Sequence, residues 1–395
     1  MKVYTCTPVR FKGDYTFFAR ESGLFSVGLN GIGVESRPIM PGPTMDDDDP
    51  RLIRTEYINL ESADWWRSMN LDGLILYSWA SPKYNKIAQA VKIAGIPFLV
   101  NMDTSGLISS LAPKSEWWRE SHKRFLYECR TLRSIANEVC RIMGDLLYKR
   151  SAKSRLAHYE AATSVAAVTP LGSLWIPGEV NGLGRSDLTH KFTYLPHPQL
   201  EVFNYGDVEK ENLVITVGRW EKDDWPQKNP RTLLNAYAEF LHARPDWKGI
   251  IVGKGAKDLA NNLQINNKIF NGHLDFIDYV PPNELPAIYS KSKIGFWSSR
   301  WEGQQGTGAQ ALCCGCSVVS HDSAHMSCFR HYVTRGSGRL ARHNDASALA
   351  RELILEAQSW DEGNRDPKII SSAWSNEFHA SNVASRSMEL LNLKY

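Results

Sequence analysis

The chain has 395 residues, of which 43% are apolar and 23% are charged, and its formal net charge is +3. This length exceeds one ordinary hydrophobic core and is sufficient for two domains. The composition is normal for a globular protein. A net charge this small gives no support for nucleic-acid binding, so we expect no nucleic-acid partner.

Three features bear on the compartment. The sequence has no apolar run of about 18 residues, so no transmembrane helix is predicted. Its first residues lack the cationic and then apolar pattern of a signal peptide. The seven cysteines do not have the spacing of a disulfide scaffold, which is typical of a reducing environment. These features together predict a cytoplasmic protein.

The first half alternates short apolar runs with helical patterns. We predict strands at 2–6, 73–77 and 96–100, and a helix over 84–94. The order strand, helix, strand at this spacing indicates a parallel βαβ unit.

The segment 114–155 is strongly basic. It contains eleven Lys or Arg residues and five Asp or Glu residues. Between 121 and 148 its apolar residues recur at spacings of four and three, which predicts a long amphipathic helix. The basic face could simply be solvated. Alternatively, it could hold a phosphate-bearing acceptor or an anionic membrane surface, which implies peripheral contact with the inner face of a membrane.

A second α/β pattern follows a segment rich in charges and in Pro and Gly, 194–211, which we interpret as an interdomain linker. We predict strands at 213–217, 249–252 and 294–297, a further segment at 269–277, and helices over 232–241 and from 282. The predicted fold class is therefore α/β, with two Rossmann-like domains and a cleft between the carboxyl ends of their sheets.

The first candidate site feature is Gly218 and Arg219 at the end of the predicted strand, followed by Lys228 before the next helix. A strand that ends in glycine lets the backbone approach a ligand. Two cations at the mouth of an α/β cleft suit a diphosphate whose leaving charge must be neutralised. Solvated loop cations are the alternative interpretation.

The second feature is the segment 298–310, a glycine-rich turn that we expect to enter a small-residue helix at Ala309. Such a turn presents free N–H groups and the positive end of a helix dipole, which together can bind phosphate. Thr307 could cap this helix, or its hydroxyl could face the phosphate. The Glu302 carboxylate could accept hydrogen bonds from sugar hydroxyls, or Glu302 could be an exposed loop residue.

These motifs resemble those of the retaining glycosyltransferases of family four, glycosyl transferases group 1, which have the GT-B fold. The matching segments are 214–220, 228–230, 250–255 and 276–320. In order they are a strand with Gly-Arg, a downstream Lys, a Val-Gly-x-Gly turn, a base-binding loop, and a Glu-Gly loop that leads into a small-residue helix. The first half matches only in outline.

The resemblance implies an acceptor-side domain over 1–200 and a nucleotide-sugar-binding domain over 201–372. It also implies that a last segment, 373–395, returns to the first domain, with Trp374 before its helix. Arg219 and Lys228 would hold the donor diphosphate, and Glu302 would meet the sugar hydroxyls. The remaining donor-binding residues that it implies are Gly218, Ile277, Tyr279, Val280, Gln304, Gln305, Gly306, Thr307, Gly308 and Gln310.

Three positions depart from the family pattern. Gln310 stands where the family usually has a glutamate that binds the ribose, and an amide carries no charge. Asp103 stands where the family often has a histidine near the reacting carbon. It could orient the acceptor or the sugar, or it could cap a turn. The usual Gly-Gly turn after the first strand is missing.

The resemblance therefore implies a retaining glycosyltransferase that uses a UDP- or GDP-sugar. Its acceptor would be a glycan or a lipid-linked sugar, in surface polysaccharide biosynthesis. Arg and Lys would hold the diphosphate, so no obligatory metal or other cofactor is predicted, and Cys313, Cys314 and Cys316 have poor spacing for zinc. An epimerase with the same double-Rossmann fold and a non-catalytic nucleotide-sugar-binding protein remain alternatives.

Overall fold

The computed structural model describes residues 1–19, 21–102, 152–270, 272–281 and 283–394, together with scattered residues between 118 and 143. Most of the predicted helix over 121–148, and Asp103, lie outside these described residues. The chain divides into two compact units. Unit 1 is Met1–Leu200 with His379–Tyr395, and unit 2 is Glu201–Phe378.

Within the described residues, unit 1 contains a seven-stranded parallel sheet with the order β3-β2-β1-β4-β5-β6-β7. Its strands are β1 Val3–Cys6, β2 Pro38–Pro41, β3 Ile53–Thr55, β4 Gly73–Leu76, β5 Phe98–Met102, β6 Ser164–Ala167 and β7 Phe192–Tyr194. Its helices are α1 Glu21–Gly31, α2 Tyr57–Leu60, α3 Ala63–Ser68, α4 Asn85–Ile93, α5 Ala152–Ala161, α6 Pro170–Gly182 and, from the end of the chain, α15 Ala380–Leu390.

The central strands of this sheet are buried on both faces, as expected for a parallel sheet covered by helices. One face packs against α4 through residues such as Leu74 and Ile87. The other face packs against α1 and α15 through residues such as Ile75, Phe25 and Val383. The three strands and the helix predicted in the first half are confirmed, although β5 begins two residues later than predicted.

Unit 2 contains, within the described residues, a six-stranded parallel sheet with the order β10-β9-β8-β11-β12-β13. Its strands are β8 Glu211–Val217, β9 Lys248–Val252, β10 Leu274–Ile277, β11 Ser292–Phe296, β12 Ser317–His321 and β13 Gly338–Ala341. Its helices are α7 Trp225–Lys228, α8 Pro230–Ala243, α9 Leu259–Asn262, α10 Leu285–Lys291, α11 Gly306–Cys313, α12 Ser327–Tyr332, α13 Ala346–Asp361 and α14 Pro367–Phe378.

The strand order of unit 2 places β8 and β11 side by side at the centre of the sheet. In a parallel sheet their carboxyl ends meet at one edge, so Gly218 and the loop after β11 belong to the same edge. The α/β fold with two Rossmann-like domains is confirmed. Residue 373, where we expected the last segment to begin, lies inside α14, and the chain returns to unit 1 at His379.

Candidate functional site

The Glu302 carboxylate, in the loop between β11 and α11, is held by three side-chain donors. Lys228 Nζ donates to Glu302 Oε1 at 2.6 Å, and both side chains are less than a tenth exposed. Gln227 Nε2 donates to the other carboxylate oxygen, and Gln305 Nε2 donates to Oε1, each at 3.1 Å. The Glu302 N–H donates to the His325 carbonyl at 2.9 Å. Glu302 is therefore a fixed, buried acceptor and not an exposed loop residue.

The loop after β11 is joined to the turn between α7 and α8 by hydrogen bonds to backbone carbonyls of that turn. Asn229 lies between these helices in the left-handed region, with φ +52°, a conformation that asparagine tolerates. The Arg300 N–H donates to the Gln227 carbonyl at 2.7 Å, and Ser298 Oγ donates to the Lys228 carbonyl at 3.2 Å. These bonds bring Lys228 to Glu302 although 74 positions separate them in the chain.

Helix α11 begins at Gly306, with Gln305 as its N-cap residue, and not at Ala309 as we expected. The glycines at 306 and 308 suggested a loop, but they lie in the first turn of the helix. The interpretation of Thr307 as the cap is therefore wrong. Thr307 Oγ1 donates to the Val217 carbonyl at the end of β8, at 3.2 Å, and also contacts Gln305 Oε1 at 3.1 Å.

The ends of β8 and β9 approach each other through glycines. The Gly218 N–H donates to the Val252 carbonyl at 3.0 Å. Gly253 has φ +127°, and a Cβ atom there would lie 1.8 Å from the Gly218 carbonyl oxygen. Gly255 also has a positive φ, +84°, against the backbone of Trp220. Glycine is required where two backbones approach this closely.

The two cations that we singled out lie in different surroundings. Lys228 is buried against Glu302. The Arg219 side chain is 68% exposed, and its guanidinium lies 3.2 Å from the Asp224 carboxylate. Arg219 follows Gly218 at the end of β8, so both cations belong to the carboxyl edge of the second sheet.

The predicted base-contact residues lie beside the glycine turn. The Ile277 carbonyl, at the end of β10, accepts the Gly253 N–H at 2.8 Å. Asp278 Oδ1 accepts the Lys257 N–H at 2.9 Å. Tyr279 is 66% exposed, and Val280 is half-buried.

Gln310 has a buried side-chain oxygen that accepts no hydrogen bond from the described residues. It lies on α11, and its Oε1 atom is buried without a hydrogen-bond partner in the part of the chain that the structure describes. A buried polar atom without a partner costs about 1–3 kcal/mol. Gln304 lies half-buried in the loop before α11.

Three groups that hold Glu302 and Gln305 in place were not predicted from the sequence: the Gln227 side chain, the His325 carbonyl and the Tyr332 hydroxyl. Gln227 adjoins Lys228, so its position was a usable signal. Tyr332 Oη donates to the Gln305 carbonyl at 3.1 Å. No sequence pattern marks that bond, because its acceptor is a backbone atom 27 positions away.

The aromatic surroundings of Tyr332 fix its position. Its ring lies 5.4 Å from that of Phe329, 5.9 Å from that of Trp374 and 5.5 Å from that of Phe378, between centroids. The Trp374 and Phe378 rings are themselves stacked. Through Gln305, Tyr332 therefore links this cluster to the carboxylate of Glu302.

The arrangement joins a helix start, two cations and a held carboxylate at one sheet edge, and the same helix carries the buried Gln310 amide oxygen. N–H groups and cations attract phosphate, and carboxylate and amide oxygens accept hydrogen bonds from hydroxyls.

Solved structures share the whole fold. That of Anabaena HepE in complex with UDP and glucose has a TM-score of 0.62 at 12% identity, with 99% of each chain covered. That of the lipopolysaccharide outer core galactosyltransferase WaaB has a TM-score of 0.61 at 13% identity, also with 99% of each chain covered. The fold is the GT-B fold.

Residues 199–364 match the family model of glycosyl transferases group 1. O-antigen chain mannosyltransferase B of Escherichia coli is 25% identical over 219 residues, which are 54% of this chain and 51% of that protein. Spore coat protein SA of Bacillus subtilis is 29% identical over 98 residues, which are 23% of this chain and 25% of that protein. The alignments thus span about half and a quarter of these relatives.

Proposed function

We propose that this protein is a retaining glycosyltransferase that moves a sugar from a UDP- or GDP-sugar to a glycan or lipid-linked acceptor in surface polysaccharide biosynthesis. The observation that carries the proposal is the buried Glu302 carboxylate, held by Lys228, Gln227 and Gln305 beside the start of α11. The family match of residues 199–364 supports it. The Escherichia coli relative is by its name an O-antigen chain mannosyltransferase, and one solved structure with the same fold is by its title a lipopolysaccharide outer core galactosyltransferase.

Each feature of the site has a part in the proposed reaction. Lys228 and Arg219, with the N–H groups of α11, neutralise charge that develops on the departing diphosphate. Glu302 accepts hydrogen bonds from the sugar, and Gln310 accepts one from the ribose. The donor phosphate takes the acceptor proton on the same face, so the protein supplies position and charge and no nucleophile. Asp103 orients the acceptor or the sugar in this proposal.

Lys228 has two roles in the proposal. In the ligand-free protein its ammonium group is neutralised by Glu302, which lowers the cost of burying the two charges. A bound diphosphate would compete with the carboxylate for this ammonium group. Donor binding is therefore expected to change the Lys228–Glu302 contact.

The proposed reaction needs no obligatory metal, because protein cations hold the diphosphate. The test is transfer activity measured after dialysis against EDTA, with and without added Mg²⁺ or Mn²⁺. Loss of activity in EDTA that Mg²⁺ restores would contradict this part of the proposal.

We also propose that the 114–155 segment contacts an anionic membrane surface, on the cytoplasmic side. Its described residues Leu132, Val139 and Met143 are 87%, 44% and 52% exposed, and they are spaced for one face of a helix. Exposed apolar residues on a basic helix are typical of interfacial binding. Along the described parts of the chain, no helix has the length and apolar character needed to cross a membrane.

The membrane proposal is tested by co-sedimentation with vesicles of phosphatidylcholine alone or with phosphatidylglycerol added. Binding to the anionic vesicles, weakened by salt and by Leu132→Glu, is expected. The control is Ile369→Glu, at a residue that is 68% exposed in unit 2. Equal binding to both kinds of vesicle, or equal effects of the two substitutions, would contradict the proposal.

A thermal-shift screen with UDP, GDP, ADP and their sugars tests the donor assignment. A ligand that binds the folded state raises the unfolding midpoint by mass action. Hydrolysis and transfer assays with the ligands that bind then separate the candidates. A protein that binds UDP or GDP but never releases either from a sugar nucleotide is a binding protein and not a transferase.

A further inference from the structure

The turn after β4 in unit 1 has an unusual backbone. The Ser81 N–H donates to the Ser78 carbonyl at 2.8 Å, and the two residues between them, Trp79 and Ala80, have φ +52° and +47°. Positive φ at both central positions is the signature of a type I′ turn, which strongly favours Asn and Gly. A tryptophan in this conformation is an outlier, and such outliers cluster at ligand-binding and active sites.

A buried hydrogen-bond chain holds this turn in place. Ser78 Oγ lies 2.8 Å from His158 Nε2, and His158 Nδ1 lies 2.9 Å from Asn85 Oδ1. The amide oxygen can only accept, so His158 donates from Nδ1 and accepts from the Ser78 hydroxyl at Nε2. Ser78 precedes the strained pair and Asn85 begins α4 after it. The chain therefore anchors the turn from both sides.

The turn lies where a ligand is expected in a sheet of this kind. The chain runs from β1 outward through β2 and β3, and then returns to place β4 on the other side of β1. The carboxyl ends of β1 and β4 therefore form the topological switch point of the first sheet. Open α/β sheets bind ligands outside the carboxyl ends of their strands at this point.

Burial distinguishes Trp79 from its neighbours. Ser78 and Ala80 are fully buried, whereas Trp79 is only partly buried. Its ring lies 6.3 Å from that of Tyr84 at an angle of 48°. A turn strained only for packing would be expected to bury its largest side chain. Trp79 packs against the core of unit 1 and yet stays only partly buried at the switch point.

We propose that Trp79 is an aromatic platform for a pyranose ring of the acceptor, in a carbohydrate subsite at the switch point of unit 1. The C–H face of a sugar ring is apolar and its hydrogens are electropositive, so it packs on the negative face of an indole. Ser78, His158 and Asn85 are positioning residues for the platform. The inference rests on the proposed function, because it assigns the sugar to the acceptor.

The experiment measures sugar binding by saturation-transfer NMR titration with maltose, cellobiose and α-1,2-mannobiose. The variants are Trp79→Gly, which suits a positive φ, and Trp79→Phe, which keeps a flat apolar face. Trp65→Ala is the control, because Trp65 is a partly buried tryptophan of the same apolar cluster that lies in α3, before β4. Midpoints of thermal unfolding and binding of UDP-glucose and GDP-mannose are measured for every variant.

We expect Trp79→Gly to weaken binding of at least one disaccharide about 3- to 10-fold, the loss typical of one aromatic contact. Trp79→Phe retains most of the affinity, Trp65→Ala retains all of it, and nucleotide-sugar binding is unchanged in each. The inference is overturned if the wild-type protein binds none of the disaccharides, or if Trp79→Gly changes only the unfolding midpoint. If the wild type binds disaccharides but no sugar nucleotide, the proposed function fails separately.

Discussion

At the scale of single residues, Lys228 combines two effects that experiments can separate. Its ammonium group neutralises a buried carboxylate, and in the proposed reaction it also meets the leaving diphosphate. Removal of one partner of a buried ion pair typically costs about 3–5 kcal/mol. Lys228→Ala is therefore expected to lower both stability and turnover.

We predict that Lys228→Ala lowers kcat roughly 100-fold or more, and that Arg219→Ala does the same without a comparable loss of stability, because Arg219 is exposed. Steady-state kinetics and urea unfolding measure the two effects. The double variant Lys228→Ala with Glu302→Gln is the control. It should recover stability, since no buried charge is left unpaired, but it should not recover turnover. Near-normal turnover in both single variants would remove these cations from the mechanism.

Gln310 has an uncharged amide where the family pattern usually has a ribose-binding glutamate. We expect Gln310→Glu to keep or improve donor binding, because a carboxylate is a stronger acceptor for ribose hydroxyls than an amide. The ligand-free variant is expected to be less stable, since the buried Oε1 atom has no hydrogen-bond donor among the described residues. A nucleotide titration followed by calorimetry and by thermal shift measures both. A large loss of affinity would show that the amide is specifically required.

At the scale of elements, the aromatic cluster around α12 and α14 supports the start of α11. We predict that Tyr332→Phe lowers stability by only about 1 kcal/mol, the worth of one hydrogen bond, because the ring contacts remain. Turnover is expected to fall several-fold with a smaller change in the donor KM, since Gln305 and Glu302 lose their fixed position. Phe329→Leu is the control, because it loosens the same cluster without removing the hydroxyl. A Tyr332→Phe variant with wild-type kinetics would show that the bond is only structural.

The turn after β9 leaves no room for a side chain at Gly253. Gly253→Ala is expected to destabilise unit 2 by at least about 3 kcal/mol, because the added Cβ would meet the Gly218 carbonyl at 1.8 Å. Gly272→Ala is the matched control. Gly272 also has a positive φ, +72°, but open space around it. The substitution is therefore expected to lower the free energy of unfolding by only about 1–2 kcal/mol. Denaturant unfolding of the two variants gives the difference directly, and equal losses would contradict the close approach.

At the scale of the whole molecule, stability is expected to depend on pH through His158. Burial, with a smaller effect of the nearby Arg155 cation, lowers the pKa of His158 to about 4. The folded state therefore disfavours protonation, so this contribution to stability is complete above pH 6.5 or so and is lost as the pH falls toward 4.

The pKa difference predicts a loss of about 2 kcal/mol between pH 7.5 and pH 5 from this one group. Urea unfolding of the wild type and of His158→Gln at both pH values isolates it. Between these pH values the free energy of unfolding of His158→Gln should fall by about 2 kcal/mol less than that of the wild type. Identical pH dependence in the two proteins would mean that His158 is not buried in its neutral form.

Much of the architecture could be predicted from local patterns. The strands of both sheets that we predicted are short apolar runs, and most of them lie within two residues of their observed positions. The start of α11 was predicted wrongly, because Gly306 and Gly308 are poor helix formers by intrinsic propensity. Tertiary contacts override that propensity here. A Cβ atom at Gly308 would lie 3.3 Å from side-chain atoms of both Tyr332 and Gln305, so a larger residue would require these neighbours to shift.

The α/β class, the two-domain organisation and the ordered motifs around Gly218, Lys228 and Glu302 could all be predicted from the amino-acid sequence. These follow from periodicity and from residue types at fixed spacing, which are local properties of the chain. Three features are visible only in the folded chain: Lys228 is paired with Glu302, Tyr332 donates to the Gln305 carbonyl, and Trp79 occupies a strained turn at a switch point. Each of these features depends on residues that are distant in sequence and meet only in the folded chain. No local pattern encodes such contacts.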